Sequence, residues 1–230
     1  MKLKLVKFVS TIAIAVLLLV LSCAVPPETP DVPAPASIPT PTPTPQPELA
    51  AKEACEMAYE HASAKYDEKL YLSEVKAGGT VVVTHKMGHG AVEGGYEDTW
   101  DVVLHRRDSQ SSYTQVLVYI RKGEVDHCSE AGTFGVYGGS WERHTQTQAV
   151  DISQLNALLD SPEAVNIAQE RGDEGLGPMF VRLGRSVTCE RKLVYSVILG
   201  PVTGEGGAGL EVYIDATGGT VLKIKETTWK

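Results

Sequence analysis

Residues 195–199 read Tyr-Ser-Val-Ile-Leu, and residues 212–214 read Val-Tyr-Ile; these two segments decide the fold. The same pattern occurs earlier, as Trp-Asp-Val-Val-Leu at 100–104 and Val-Tyr-Ile at 118–120. The matching segments are offset by 94 to 95 residues. Two matched segment pairs at nearly one offset indicate that a supersecondary unit has been duplicated within the chain.

Apolar and polar residues alternate within these segments, which predicts half-buried strands. In the first copy we expect strands around Val75 and at 80–84, 100–105 and 115–120, with a turn at Lys122-Gly123. In the second copy the expected strands are 179–183, 186–188, 193–199, 210–214 and 220–225.

Each copy is expected to begin with a helix. Residues 48–66 place small or apolar side chains at helical spacing. In the second copy Ser161 is a capping residue, Pro162 suits the first helical position and Gly172 ends the helix. Residues 151–159 fit either a short helix or an extended lead-in.

A helix followed by meandering antiparallel strands, twice over, predicts an α+β protein with one helix packed on each of two small sheets. The first unit is expected at 48–130 and the second at 151–230. Residues 131–150, rich in glycine and aromatic residues, are expected to connect them.

The N-terminus has the features of an export signal at residues 1–22. Three lysines precede an apolar run at 8–21, which is shorter than the roughly 20 residues of a membrane span. The segment Leu-Val-Leu-Ser-Cys at 19–23 resembles a bacterial lipobox, although Leu21 stands where a small residue is usual. The resemblance implies cleavage before Cys23 and acylation of that residue. The alternative is an ordinary secretory signal followed by a chance cysteine.

Residues 23–47 are expected to form a linker. Ten of the thirteen prolines lie between Pro26 and Pro47, and proline can extend neither a helix nor a sheet ladder. The segment should be extended, at about 3.1 Å per residue. We therefore expect a protein outside the cytoplasm, in the bacterial cell envelope, tethered to the membrane through lipid on Cys23.

The C-terminal segment 210–224, Leu-Glu-Val-Tyr-Ile-Asp-Ala-Thr-Gly-Gly-Thr-Val-Leu-Lys-Ile, resembles the closing hairpin of PepSY-type domains. Residues 160–168 resemble the opening of the helix in such domains. The resemblance covers most of 150–230 and extends more weakly to about 48–130, where Arg121-Lys122-Gly123 replaces the longer turn. It implies a role in binding or restraining a protein partner such as a peptidase, and it implies no catalytic activity.

The charge of the mature chain argues against two kinds of partner. All 29 acidic residues but only 18 of the 21 basic residues follow Cys23, which leaves a net charge near −11. An acidic domain of this kind is not expected to bind nucleic acid or an anionic bilayer surface. Its 183 residues from 48 to 230 are enough for one ordinary domain or two small ones.

Three cysteines remain in the folded part, and an exported domain can form one disulfide from them. Cys55 and Cys128 are the favoured pair, because both belong to the first copy, which leaves Cys189 as the odd thiol. The three are too widely spaced for a zinc pattern.

The residues predict no catalytic site, metal site or cofactor. Glycines at 204–209 match a dinucleotide-binding pattern literally, but a strand follows them where a helix is required. His85 and His89 are four residues apart in a stretch predicted as strand and loop, so they are not a helical ligand pair. His105 and His127 end other predicted strands and could in principle converge, but we expect both to be surface residues.

Residues 132–141 contain Phe134, Tyr137 and Trp141 among glycines. Exposed aromatic side chains on such a loop would form a contact for a protein or peptide partner. Alternatively, the three rings fill the seam between the two copies. We therefore expect a non-enzymatic, lipid-anchored binding protein; a structural or small-ligand-binding envelope lipoprotein without a peptidase partner is the competing interpretation.

Replacing Cys23 with serine should release the protein from the membrane fraction, because the substitution removes the thiol that would carry the lipid. Membrane fractionation of both chains, with mass spectrometry of the N-terminal peptide, measures this. A Cys23→Ser chain that stays in the membrane fraction, or an unmodified Cys23, would contradict the anchor.

Overall fold

The structure, a computed structural model, describes residues 48–77, 95, 97, 99–201 and 207–228. The chain divides into two units, Met1–Pro43 and Thr44–Lys230, and every described residue belongs to the second. The predicted signal peptide, Cys23, the linker and the expected strand at 80–84 lie outside the described residues.

The first half of the domain is a helix followed by four strands. Its elements are α1 (Ala51–Tyr66), β1 (Leu70–Ala77), β2 (Thr99–Arg107), β3 (Ser112–Arg121) and β4 (Glu124–Gly135). The connection to the second half contains a 3-10 helix (Tyr137–Gly139), α2 (Trp141–Thr147), β5 (Val150–Asp151) and a further 3-10 helix (Ile152–Ala157).

The second half repeats this order. Its elements are α3 (Ser161–Gln169), β6 (Leu176–Ser186), a short 3-10 helix (Val187–Cys189), β7 (Lys192–Pro201), β8 (Ala208–Asp215) and β9 (Val221–Thr228). The predicted α+β class is confirmed. Several boundaries differ, however: the strands expected at 179–183 and 186–188 are one strand ending in a 3-10 turn. Of the two interpretations of residues 151–159, the structure has the short helix, as a 3-10 helix at Ile152–Ala157.

All the strands of the described residues belong to a single antiparallel sheet, so the expectation of two small sheets is wrong. The strand order is β4-β3-β2-β1-β6-β7-β8-β9, with β5 pairing only with β1. The halves are joined where β1 meets β6, with Glu74 opposite Gly184, Val75 opposite Leu183 and Lys76 opposite Arg182. Long-range pairing of this kind leaves no local pattern in the sequence.

The duplicated segments occupy matching places in the two halves. Trp100 lies in β2 and Tyr195 in β7, each the second strand after its helix, and both side chains are fully buried. Tyr195 donates a hydrogen bond to the carbonyl of Leu159 at 3.1 Å, and Trp100 donates one to the carbonyl of Leu49 at 3.0 Å.

One face of the sheet is covered by α1 and α3 and holds the main core. The side of α1 that faces the sheet consists of small residues, which lets the helix approach the strands closely. These residues are Ala51, Ala54, Cys55, Ala58 and Ala62. Opposite them lie apolar side chains from alternate strand positions, among them Val102, Leu104, Val118 and Leu183. The apolar side chains at alternate positions of these strands thus face the helices.

The N-termini of α1 and α3 meet and share one cap. Asp160 Oδ1 accepts hydrogen bonds from the backbone N–H of Ser161, at 2.7 Å, and from that of Lys52 in α1, at 3.2 Å. The fully buried Ser161 hydroxyl accepts from the N–H of Ala51, at 2.8 Å, and donates to the Gly95 carbonyl, at 2.7 Å. A carboxylate suits this place, since both helix ends carry partial positive charge.

This arrangement corrects the predicted start of the second helix. The capping residue of α3 is Asp160, and Glu163 closes a capping box by accepting from the Asp160 N–H at 2.9 Å. Ser161 is the first residue of the helix, and its hydroxyl serves α1 instead of α3. The first five residues of the expected connection, 131–135, also differ from the prediction, because β4 continues to Gly135.

Replacing Ser161 with alanine should lower the free energy of unfolding by about 2 kcal/mol, because a buried N–H and a buried carbonyl lose their partner. Urea unfolding followed by circular dichroism measures this. Ser63→Ala in α1 is the matched control: its hydroxyl oxygen is also buried but has no hydrogen-bond partner. We expect that change to stay within about 0.5 kcal/mol; equal losses in both variants would refute the shared cap.

Candidate functional site

The face of the sheet opposite α1 and α3 carries the candidate site at one end. Four neighbouring strands present aromatic side chains there, one from each: Tyr71 on β1, His105 on β2, Tyr113 on β3 and Phe134 on β4. The segment Val136–Gln148, which we call the strap, crosses this end of the face between β4 and β5.

Local sequence explains how the strap turns onto the sheet. Gly138 and Gly139 have φ of 71° and 78°, a region that glycine enters without steric cost. Ser140 then caps α2, because its hydroxyl accepts from the Arg143 N–H at 3.3 Å. These residues place Trp141 and His144, one helical turn apart, on the side of α2 that meets the strands.

Trp141 is a core residue of this end of the sheet and is only 4% exposed. Its ring meets the Tyr71 ring edge-on, with centroids 5.1 Å apart, and the Arg107 guanidinium lies 5.8 Å from the Trp141 ring centroid. The hypothesis that Trp141 is an exposed contact is therefore wrong. Its ring fills the space between the strap and β1.

Phe134 and Tyr137 behave differently, with exposures of 44% and 41%. Phe134 lies at the end of β4, directly opposite Tyr113, with ring centroids 5.7 Å apart. The Tyr137 ring is covered on one face by the Arg191 guanidinium at 4.0 Å. These two aromatics are the part of the predicted contact that solvent reaches.

Two buried histidines hold the strap to the sheet. His105 Nδ1 and His144 Nε2 are 3.0 Å apart, and the Tyr137 backbone N–H donates to His144 Nδ1 at 3.2 Å. Both side chains also stack on Tyr113, with centroid distances of 4.2 and 4.4 Å. Burial, and secondarily His144, lowers the pKa of His105 to about 3, and burial lowers the pKa of His144.

The expectation of surface histidines is thus wrong for His105, which is 3% exposed. Alternation in β2 turns His105 away from Trp100, Val102 and Leu104, toward the face that the strap covers. Nothing in the sequence indicated a role for His144, because residues 131–150 were expected to be only a connection between the two units. For His105 alone the sequence held a usable signal: the alternation of β2 places it on the face opposite Trp100, Val102 and Leu104.

The remaining histidines do not form a metal site in the described structure. His127 is exposed and packs against Tyr119, which lies opposite Asp101, so it does not approach His105. His85 and His89 lie outside the described residues, as do Gly204 and Gly206. Among described residues, no group of three His, Cys, Asp or Glu side chains is arranged to hold a metal ion.

A row of charges crosses the same face at the joint between the halves. Arg182 on β6 binds Glu74 on β1 at 2.6 Å, and Lys76 lies 3.9 Å from Asp101 on β2. Burial raises the pKa of the Asp101 carboxyl, and the Lys76 ammonium opposes that shift. These ion pairs are half-exposed, so each adds little stability. The Arg182–Glu74 pair links β6 to β1 across the joint, and the Lys76–Asp101 pair links β1 to β2.

The three cysteines are free and buried in the structure. Cys128 lies near the C-terminus of α1, where the Lys65 ammonium donates to its carbonyl at 2.5 Å. Cys55 lies ten residues before Lys65, about 15 Å away along the helix axis. Burial, and secondarily the Asp160 carboxylate, raises the pKa of the Cys55 thiol. A bridge needs Cα atoms within about 7 Å, so the predicted Cys55–Cys128 bridge is absent here.

The described residues form an α+β protein with one antiparallel sheet, two helices on one face and the strap across the other. No helix among the described residues is both long and apolar enough to span a membrane. No protein-family model and no curated protein matches the chain.

One solved structure is similar, a candidate lipoprotein from Clostridium difficile 630. The two proteins share 12% sequence identity with a TM-score of 0.47, over 74% of this chain and 90% of that one. A likeness at this level carries no argument about ligand, partner or activity.

Thiol counting should find three reactive cysteines in the full-length Cys23→Ser chain after denaturation without reductant. Before denaturation we expect slow labelling, because burial raises the pKa of all three thiols and keeps them protonated. A count of one would mean that a disulfide forms.

Proposed function

We propose that this protein is a lipid-anchored binding protein of the bacterial cell envelope that engages a protein or peptide partner. The contact would lie at the strap end of the sheet, where Phe134 and Tyr137 are exposed. The observation that supports it best is that these two aromatic side chains are 44% and 41% exposed, next to the buried side chains of Trp141 and His144. Large aromatic side chains are the most frequent energetic anchors of protein interfaces.

The other exposed apolar side chains strengthen this choice of surface. Four large hydrophobic side chains are strongly exposed among the described residues: Phe134, Tyr137, Val187 and Ile224. Val187 belongs to the β6–β7 turn, whose Arg191 covers Tyr137. Three of the four therefore gather at one end, whereas Ile224 lies on β9 at the opposite edge of the sheet.

The edge strand β4 offers a second element of the same surface. It ends the sheet beside β3, and Phe134 is its penultimate residue. An extended peptide can add to such an edge through backbone hydrogen bonds, while side chains at alternate positions supply specificity. Two register irregularities along β3–β4 limit the regular stretch that a peptide could pair with.

The rest of the proposal comes from the sequence. The lipobox-like segment and the proline-rich linker favour a tethered domain that can search for a partner near the membrane. The PepSY resemblance favours two PepSY-like units, corresponding to the two helix-plus-four-strand halves, and a partner of the peptidase class. The absence of a recognisable catalytic motif in the sequence favours binding without turnover.

Replacing both Phe134 and Tyr137 with alanine should weaken partner binding by about 30-fold or more, equivalent to about 2 kcal/mol. The loss follows from removing the two exposed anchors while Trp141 continues to hold the strap. Photo-crosslinking from these positions in cells identifies the partner, and titration of the purified partner measures the change.

Ile224→Ala is the matched control, because Ile224 is 45% exposed and lies on the far edge strand. It should leave affinity unchanged, and circular dichroism should show all three chains folded. Equal affinity for the double variant and the original chain would refute this contact. Hydrolysis of an envelope substrate that is lost on changing one polar residue would refute the non-enzymatic role.

A further inference from the structure

The strap packs on the sheet through two buried side chains, and one of them is His144. From β4 the chain crosses Tyr113, His105 and Tyr71 in turn before it enters β5. Trp141 and His144 are its two buried side chains, 4% and 1% exposed. The two rings stack on one another with centroids 5.2 Å apart, so what displaces His144 also loosens Trp141.

One distribution of protons satisfies the histidine contacts. The Tyr137 N–H points at His144 Nδ1, so that nitrogen must offer a lone pair. The proton of neutral His144 is then on Nε2, which donates to Nδ1 of His105. His105 must accept there, so its own proton is on Nε2. A second proton on either ring would set two N–H groups against each other.

Charged groups of both signs surround the two rings. The groups that face this cluster are the Tyr113 phenol on β3, the Arg107 guanidinium on β2, the Arg191 guanidinium in the β6–β7 turn, the Lys69–Asp151 ion pair beside Tyr71, and Glu142 and Arg143 on α2 itself. Among the described hydrogen bonds and ion pairs, neither histidine has a carboxylate partner. A protonated ring therefore has no counter-charge bound to it.

We propose that the strap is an acid-sensitive latch: Val136–Gln148 leaves the sheet when either imidazole takes up a second proton, and the aromatic surface beneath it is exposed. The inference goes beyond the proposed partner binding and does not depend on it. The opened state would present Tyr71 and Tyr113 beside Phe134 on the uncovered face of the sheet, and Trp141 on the released strap.

The direction of the effect follows from linkage. A histidine freed from the latch has an ordinary pKa near 6.5, whereas burial holds that of latched His105 at about 3. The open form thus binds more protons, so the latch is fully stable above about pH 6.5 and loses stability as the pH falls below that value. One linked proton raises the ratio of open to latched strap by about 100-fold between pH 7.5 and 4.5.

Hydrogen exchange of the full chain, read by mass spectrometry at pH 7.5 and 4.5 and corrected for intrinsic exchange rates, tests the proposal. We expect strap peptides to lose protection by about 100-fold, while peptides from β7 and β8 keep theirs. The His105→Asn/His144→Gln double variant cannot titrate at these positions, so its strap should exchange at the same corrected rate at both pH values. His61→Gln, which removes an exposed histidine from α1, should behave as the original chain.

Two results would overturn the latch. One is strap protection in the original chain that does not change with pH; the other is strap and β7 peptides losing protection together, which would mean global acid unfolding. If the double variant does not fold, the comparison of strap and β7 peptides in the original chain decides alone.

Discussion

A single carboxylate at Asp160 closes the N-termini of both long helices, and much of the fold depends on this contact. It accepts from α3, which it precedes, and from α1, which lies 108 residues earlier in the chain. Ser161 completes the junction by accepting from α1 and donating to the backbone at Gly95. Because the N-termini of α1 and α3 are held at one point, both helices pack on the same face of the sheet.

The same junction explains why two similar halves form one sheet. With α1 and α3 fixed side by side, β1 and β6 are brought into hydrogen-bonding distance over three residue pairs. The half-exposed ion pair of Arg182 with Glu74 also joins β6 to β1 on the other face. A continuous sheet buries what would otherwise be two open inner edges, which removes sites for unwanted strand addition.

The helix-free face is where the two halves differ. The chain leaves β4 of the first half as the strap and must cross this face to reach β5, whereas β9 ends the described part of the second half. That asymmetry produces a buried histidine pair, a buried tryptophan and two exposed aromatic rings at one end of an otherwise symmetrical arrangement. It is also why we propose both partner binding and conformational control at this end.

The sequence by itself determined the α+β class, the helix that opens each half and most of the strands, because these depend on side-chain periodicity within short segments. It also indicated, through the spacing of Trp100 and Tyr195, that the two halves are alike. It did not reveal the single sheet, the capping of α1 by Asp160 or the His105–His144 contact. Each of these joins residues far apart in the chain, and hydrogen-bond partners at such separations are selected by packing and leave no local periodic pattern. For the same reason Phe134, Tyr137 and Trp141 looked equivalent in the sequence, and only the position of the strap on the sheet separated two exposed rings from one buried ring.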